Sequence, residues 1–274
     1  MKISQATSIL DGALSPELQE KYDNTGRQII FHDAEISGIL LALDIDSGVI
    51  GEAGKKGCNL IISHHPLFFS PARRLDTRDA KSAMAISLID KRISVYSAHT
   101  NLDKLYYDRL ARVLELPDPV LLNKTDTRFD SEPVGFGIIS RLTDPIRLSD
   151  LLENVKTRLG LDYVIYAGDR SSMIRSVAVV QGAGGRAIEH IAADGLADCI
   201  ITGDVGYHHA KNARDCGVAT IDAGHFGTER ILLKFLKDHV TGLLAGHGSS
   251  PEINVYISET ETSPFKMYGK NNEQ

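Results

Sequence analysis

The amino-acid sequence predicts an α/β fold of two similar α/β halves related by internal pseudo-symmetry, with a metal site at the carboxyl ends of the strands. Short apolar runs alternate with amphipathic stretches along most of the 274 residues, a pattern typical of strand–helix–strand units. The succession strand, helix, strand, helix, strand occurs twice, once in each half. Residues of metal-binding type follow several strand ends, which is where open α/β sheets bind ligands.

The first half begins with an amphipathic helix within the first thirty residues, followed by a polar turn, YDNTGRQI, rich in turn-forming residues. Buried-strand and helix patterns then alternate. They predict a strand at Gly38–Ile45, a helix at Val49–Gly57, a strand at Cys58–Ser63, a helix at Arg78–Lys91 and a strand at Ile93–Ala98.

Turn residues and a single glycine-punctuated strand, VGFGIIS, fill residues 117–145, which are therefore the best candidate border between the halves. We expect residues 1–125 to form the first half and 126–240 the second, and leave open whether 241–274 return to the first.

The second half is predicted to begin with a helix at 149–159, capped by Ser149 and ended by Gly160. The elements that follow are strands at 162–168 and 175–182, a helix at 186–195, a strand at 198–204, a helix at 208–217, a strand at 218–225, a helix at 228–239 and a strand at 252–258.

Composition limits the classes of function. The chain is 42% hydrophobic and 24% charged, an ordinary composition for a globular protein. Its net charge of -6 argues against a general nucleic-acid binder, although a local basic patch stays open. The amino-terminal residues lack the apolar core of a signal peptide, and no apolar run is long enough for a membrane span. We expect a cytoplasmic protein without a membrane partner.

The three cysteines, Cys58, Cys199 and Cys216, are widely spaced and form no C-x-x-C motif. An odd number at such spacing favours reduced, mostly buried thiols over disulfides or a zinc knuckle.

The histidine pair His64–His65 ends a buried strand, NLIISHHP, and is the natural start of a metal site. Adjacent strand residues point to opposite faces, so one ion takes both imidazoles only if the backbone turns, which Pro66 favours. Otherwise each histidine serves a different ion. A loop whose histidines only cap the sheet edge is the remaining alternative.

Four strand ends carry polar side chains that parallel strands would bring to one edge. These are His64 and His65; His99 and Asp103; Asp204 with nearby His208; and His225 and Glu229. Three histidines and two carboxylates suit a pair of divalent ions with a bridging carboxylate better than one closed structural zinc site. Taken alone, Asp103 and Glu229 could instead serve their helix starts. The GAGG turn at 182–185 suits a plain tight turn better than a phosphate loop.

Four segments together, SHHPLFF, SAHTNLD, ITGDVGYHHA and AGHFGTE, resemble the NIF-three-like family of dinuclear-metal proteins, whose members carry the name GTP cyclohydrolase 1 type 2 homologue. The resemblance covers nearly the whole chain. It implies two divalent metal ions per chain, drawn from zinc, iron, manganese and nickel. It assigns His64, His225 and Glu229 to one ion, and His65, Asp103 and Glu229 to the other, with Glu229 bridging.

The resemblance further implies a ring-shaped homohexamer and a metal-dependent hydrolase that opens the purine ring of GTP and releases formate. His99 would lie beside the site and, with His208, is a candidate catalytic residue. Many relatives carry tryptophan and leucine where this chain has Tyr22 and Arg27, which leaves the metal ligands untouched and bears on substrate recognition. The alternatives are a phosphoester hydrolase and a non-catalytic protein that stores or delivers ions, because every version needs the same five ligands.

Overall fold

The computed structural model describes residues 1–248 and 253–268, with only the backbone described at 126–128. The strands of these residues are β1 (Gly26–Ile29), β2 (Ile39–Ala42), β3 (Leu60–Ser63), β4 (Ser94–Ser97), β5 (Val120–Phe129), β6 (Glu132–Arg147), β7 (Ile165–Ala167), β8 (Met173–Ala183), β9 (Cys199–Gly203), β10 (Ala219–Asp222) and β11 (Val255–Ile257). The helices are α1 (Ile3–Leu14), α2 (Ser47–Lys55), α3 (Ala80–Asp90), α4 (Thr100–Leu105), α5 (Arg109–Val113), α6 (Leu148–Leu159), α7 (Gly185–Asp194), α8 (Tyr207–Asp215), α9 (His225–Glu229) and α10 (Leu232–Gly246).

The fold is mixed α/β with two sheets, and chain contacts divide it into two units. Unit 1 comprises Met1–Leu105 and Leu232–Glu261, and unit 2 comprises Tyr106–Ile231 and Thr262–Gln274. The sequence placed its borders at residues 125 and 240. The first border falls earlier because Leu110 and Leu114 pack into the core of unit 2 and because β5 pairs with β6. The division into a first half at residues 1–125 and a second half at residues 126–240 stays a prediction.

The sheet of unit 1 has the order β1-β4-β3-β2-β11. Its three central strands, β2, β3 and β4, are parallel neighbours in register, so Leu40 lies beside Ile61 and Ile61 beside Val95. Every residue of these strands is buried. Burial on both faces explains why the strands read as continuous apolar runs rather than as alternating patterns. Their carboxyl ends therefore meet at one edge of the sheet.

The sheet of unit 2 has the order β5-β6-β8-β9-β10-β7. Its central strands β8, β9 and β10 are again parallel, whereas β5, β6 and β7 pair antiparallel with their neighbours. The apolar side of α6 covers one face of this sheet with Leu148, Leu151 and Val155. The carboxyl ends of β8, β9 and β10 thus form a second edge. Internal pseudo-symmetry between the units stays a prediction.

Two buried carboxylates, Glu52 and Glu261, hold the segment that follows β11, residues 258–261, against the rest of unit 1. Glu52 in α2 accepts hydrogen bonds from Ser258–Thr260, including the Ser258 Oγ at 2.8 Å. Burial alone would raise the pKa of Glu52, but hydrogen bonds from Lys56 and this segment lower it to about 2. Glu261 accepts the backbone N–H of Asp44 at 2.8 Å. These contacts set the path of the chain just after β2.

Four local predictions were wrong. The polar turn after the first helix contains strand β1, which pairs with β4, and residues 117–145 belong largely to the β5–β6 hairpin. Arg147, not Ser149, precedes the first turn of α6, whereas Gly160 ends that helix in the left-handed conformation as predicted. The single predicted helix at 228–239 is two helices, α9 and α10.

The cysteine prediction is confirmed for two positions: Cys58 and Cys199 are buried thiols, whereas Cys216 is exposed. No helix among the described residues is long and apolar enough to cross a membrane. Residues 249–252 and 269–274, which include the first residue of the strand predicted at 252–258, lie outside the described residues.

Candidate metal centre

Four histidines that the sequence placed at strand ends share one arrangement: each ring is held at Nδ1 by a nearby oxygen. The partners are the Ala98 carbonyl for His64 (2.8 Å), Asp44 for His65 (2.9 Å), Asp23 for His99 (2.8 Å) and Asp204 for His225 (2.7 Å). Carbonyl and ionised carboxylate oxygens only accept hydrogen bonds, so Nδ1 donates in each pair. Metal-ligating histidines in proteins are held in this way, with the other nitrogen facing the ion.

In unit 1, three of these rings gather at the sheet edge. The centroids of His64, His65 and His99 lie 5.0 to 5.5 Å from one another. One donor atom from each lies within 4.8 Å of the other two. Asp103, in the first turn of α4, places Oδ1 3.5 Å from His64 Nε2.

The backbone bends at the histidine pair. On a straight strand the two rings would point to opposite faces. Their centroids are instead 5.0 Å apart, and Ser63 Oγ donates to the His65 carbonyl at 2.8 Å across the bend. The bend therefore satisfies the condition under which both imidazoles can serve one site.

Asp23 fixes the third ring from a distant part of the chain. Its carboxylate is fully buried and accepts from His99 Nδ1 and from the hydroxyl and backbone N–H of Thr100. Burial alone would raise the pKa of Asp23, but the hydrogen bonds from His99 and Thr100 lower it to about 2. Asp23 is therefore ionised at neutral pH and stabilises the Nδ1–H tautomer of His99.

In unit 2, the donors lie on the single helical turn α9. His225 Nε2 lies 3.1 Å from Glu229 Oε2, as expected for residues four apart on a helix. The hydrogen bond to Glu229 is the largest cause that raises the pKa of His225 to about 9; burial opposes it, and Asp204 adds to it. Without a metal the ring is therefore protonated at neutral pH. A metal bound at Nε2 would displace that proton.

Two glycines let the backbone approach these donors closely. Gly182, at the end of β8, has φ +64°, and a Cβ there would collide with Glu229 Oε1. A Cβ at Gly203, the last residue of β9, would lie 2.5 Å from the backbone nitrogen of His225. Thr228 links α9 to β8 by a hydrogen bond, because its Oγ1 accepts the Gly182 N–H at 3.0 Å. Glu229 is buried as a result, with 5% of its side chain exposed.

The remaining polar candidates differ in exposure. Asp204 follows β9 with φ 55°, a left-handed conformation that aspartate tolerates, and reaches His225. His208 is exposed at the start of α8, edge-on to the Tyr207 ring at 5.2 Å between centroids. His209 packs its ring against Gly185 in the GAGG turn.

Sequence reasoning missed two of the carboxylates that hold the histidines. Asp44 follows β2 and could have been found, because it obeys the same strand-end rule as His64 and His99. Asp23 could not, since it lies in a loop 76 residues before its partner His99 and has the composition of an ordinary turn former.

The donor sets fit divalent metal ions. Imidazole and carboxylate together suit zinc, iron, manganese and nickel. Each imidazole is already oriented by an outer acceptor, and the backbone around Glu229 has no room for a larger residue at Gly182. These features are those of residues that can hold a metal.

Known proteins resemble this chain over nearly its full length. A GTP cyclohydrolase 1 type 2 homolog of Clostridium acetobutylicum is 31% identical over 270 residues, 97% of this chain and 99% of that protein. The GTP cyclohydrolase 1 type 2 of Helicobacter pylori strain J99 is 35% identical over 219 residues, 79% of this chain and 83% of that protein.

Two solved structures have a similar fold. A hypothetical protein of Staphylococcus aureus superposes with a TM-score of 0.87 at 28% identity, covering 98% of this chain and 99% of that chain. Reduced HcgD of Methanocaldococcus jannaschii gives 0.76 at 26% identity, covering 94% and 98%. The profile of the family described as Duf34/NIF3 (NGG1p interacting factor 3) matches residues 1–264, and the chain therefore belongs to that family.

Proposed function

We propose that the protein is a metal-dependent hydrolase with two divalent ions per chain that opens the purine ring of GTP and releases formate. The metal site is supported by one observation. The proposed ligands His64, His65 and His225, together with His99, are each fixed at Nδ1 by an oxygen acceptor. The names of the relatives from Clostridium acetobutylicum and Helicobacter pylori support the reaction.

The ligand assignment follows the family resemblance. His64, His225 and Glu229 hold one ion, and His65, Asp103 and Glu229 hold the other. The bridging role falls to Glu229 because a carboxylate can offer one oxygen to each cation and offset their mutual repulsion. Asp103 has the same chemistry but belongs to a single ion in this assignment.

Bound divalent ions would supply Lewis acidity and lower the pKa of water. The protein's own contribution is orientation and proton transfer. Asp23 keeps the His99 Nδ1 protonated, which leaves the lone pair on Nε2. We assign to that nitrogen the acceptance of a proton during attack and its return to the leaving group. His208, exposed on α8, is proposed as a further substrate contact.

The assembly is proposed as a ring-shaped homohexamer, as the resemblance implies. Closed symmetry is the usual outcome for homo-oligomers. Light scattering at micromolar concentration is expected to give the mass of six chains, and the mass of a single chain would contradict this.

Metal analysis tests the site. Protein purified without chelator is expected to hold two divalent ions per chain, and Glu229→Gln is expected to weaken both, since it removes a ligand charge from each. His65→Ala is expected to weaken one. Asp103→Asn is the matched control for a carboxylate that serves one ion. Retention of both ions by Glu229→Gln, with loss of both in His65→Ala, would overturn the assignment.

Turnover tests the reaction. The metal-reconstituted protein is incubated with GTP, other nucleotides and simple phosphoesters, and formate is measured alongside phosphate. Formate release from GTP that disappears in Glu229→Gln supports the proposal. Phosphate release alone would redirect it to a phosphoester hydrolase, and no turnover of the panel by fully loaded protein would favour a metal-handling protein.

A further inference from the structure

Two exposed aromatic rings lie beside the histidine cluster of unit 1. Tyr22 is 62% exposed and Phe69 is 43% exposed. Their ring centroids are 6.3 Å apart with planes tilted by 40°, and the Phe69 ring stands edge-on to His99 at 6.3 Å. The series Tyr22, Phe69, His99 therefore leads from solvent to the candidate metal donors.

Hydrogen bonds fix the two loops that carry these rings. The side chain of Asn24 donates to the Phe68 carbonyl, and Gln28 Oε1 accepts the Phe68 N–H at 3.2 Å. Gln28 in turn donates to the Asn24 carbonyl at 2.7 Å, which ties the two anchors together. An isolated exposed aromatic needs no explanation. Here polar contacts hold the nearby residues Asn24 and Phe68 in place while both rings stay exposed, which is how a binding site is organised in advance.

Two arginines follow in the same loop. Arg73 and Arg74 are exposed, and within residues 1–248 and 253–268 neither has an ion-pair partner. By contrast, Arg27 pairs with Asp11 at 2.7 Å and Arg78 with Asp76 at 2.7 Å. Four residues of chain from Phe69 to Arg73 reach at most roughly 14 Å. The Cα atoms of Phe69 and Arg73 therefore lie no farther apart than this, so one ligand with a flat ring at one end and an anionic group at the other can reach both side chains.

We propose that Tyr22 and Phe69 form a stacking subsite for a planar heteroaromatic ring, with Arg73 and Arg74 meeting the anionic group of the same molecule. This inference rests on the proposed function, because it concerns the substrate of that site. It selects ligands of nucleotide type over phosphorylated sugars and peptides, which bring the charge without the ring. It also makes residue 22 and residue 69 determinants of specificity rather than of metal binding.

Equilibrium binding tests the subsite independently of turnover. Metal-loaded protein is titrated calorimetrically with GTP, ATP and inorganic triphosphate. Stacking on an aromatic side chain is worth about tenfold or more in affinity, so Phe69→Leu and Tyr22→Leu are each expected to weaken GTP and ATP by about tenfold while leaving triphosphate unchanged. Arg73→Gln combined with Arg74→Gln is expected to weaken all three. Phe69→Tyr keeps the ring and is expected to bind like the wild type.

Tyr268→Leu removes a tyrosine of unit 2 that is 99% exposed and is the control for loss of an exposed ring. Metal content is measured in every variant, so that disturbance of His99 is recognised separately. The subsite is overturned if Phe69→Leu and Tyr22→Leu bind GTP like the wild type, if they lose GTP and triphosphate equally, or if the wild type binds neither GTP nor ATP. Ring-dependent binding without formate release would keep the subsite and remove the hydrolase.

Discussion

The two units hold their metal-type donors by different means. In unit 1, side-chain and backbone acceptors hold three rings at the ends of adjacent parallel strands, and two of those acceptors are the carboxylates of Asp23 and Asp44. In unit 2, the donors lie on one helical turn, and glycines at the ends of β8 and β9 let the backbone close around it. Unit 1 orients its donors by charge and hydrogen bonding, whereas unit 2 also depends on the absence of side chains at Gly182 and Gly203.

This difference predicts how each half can be damaged. A donor held by a carboxylate is weakened when that carboxylate loses its charge, and the loss is graded. A donor held in the recess that Gly182 and Gly203 leave in the backbone is displaced outright when a methyl group is added there, because packed interiors have little free volume. Unit 2 should therefore be the more sensitive to small steric changes, and unit 1 to loss of charge on Asp23 and Asp44.

The largest effect is expected from Gly182→Ala. The new methyl group would collide with Glu229 Oε1, and the φ of +64° adds strain. Because Glu229 is buried, its carboxylate has to leave its position. We expect divalent-metal affinity to fall by roughly a hundredfold, the upper range for loss of a supporting contact. Competition with a chromophoric chelator measures the change.

Gly195→Ala is the matched control. It has nearly the same backbone conformation, with φ +61°, but a Cβ there meets open space. It should cost about 1 kcal/mol in the free energy of unfolding and leave metal affinity unchanged. Equal metal loss in both variants would mean that backbone strain, not the collision with Glu229, is responsible.

Acid should destabilise unit 1 through Glu52, which holds residues 258–260 rather than a histidine. Its pKa is about 2 in the folded protein against 4.5 for an unperturbed glutamate. A lowered folded-state pKa means that the stabilisation is complete above pH 4.5 and is lost as the pH falls from 4.5 towards 2. The full loss amounts to roughly 3 kcal/mol. Urea unfolding at a series of pH values is the measurement, and Glu52→Gln should flatten the dependence in this window. An unchanged slope in that variant would assign the acid sensitivity to other carboxylates.

The parts of the fold predicted from sequence are those whose signal is local. Strands β2, β3 and β4 are apolar runs because both sheet faces are covered. Helices α2 and α3 were predicted from their patterns at Val49–Gly57 and Arg78–Lys91, and the structure shows that the side chains of Asp46 and Asp79 cap them. The strand β1 is only four residues long, GRQI, and lies within a polar segment. Its pairing with β4 is a tertiary effect that no local pattern reveals.

The site shows the same limit. Strand-end position brought His64, His65 and His99 to attention, and the structure gathers them. The acceptor Asp23 and the recess at Gly182 escaped notice. One is a contact across 76 residues, and the other is an empty space that a sequence does not display.

A smaller effect is expected from Glu261→Gln. Glu261 accepts the N–H groups of Leu43 and Asp44 at the end of β2. Both N–H groups donate to Oε1, and Leu43 also donates to Oε2. The amide removes the negative charge and turns its NH2 donor towards the Leu43 N–H, so we expect a loss of about 2 kcal/mol in the free energy of unfolding. Glu259→Gln, whose side chain is 82% exposed, is the control and should be close to neutral. Equal stability of the two variants would show that Glu261 does not hold this turn.

A smaller effect again, and the most direct test of how unit 1 orients its rings, is expected from Asp44→Asn. Asp44 accepts from His65 Nδ1 at 2.9 Å and is 65% exposed. Asparagine keeps an acceptor oxygen but removes the charge that makes His65 a stronger ligand. We therefore expect metal affinity to fall by about tenfold, the lower range for an outer-shell partner. The chelator competition used for Gly182→Ala measures it on the same scale.

Asp33→Asn changes an aspartate that is 93% exposed and paired with Lys2, and should leave metal affinity unaltered. Asp204→Asn makes the same chemical change beside His225 in unit 2. Because the glycine recess still holds α9 there, we expect a smaller loss than for Asp44→Asn. A larger loss in Asp204→Asn would reverse the comparison, since charge rather than close packing would then orient the donors of unit 2.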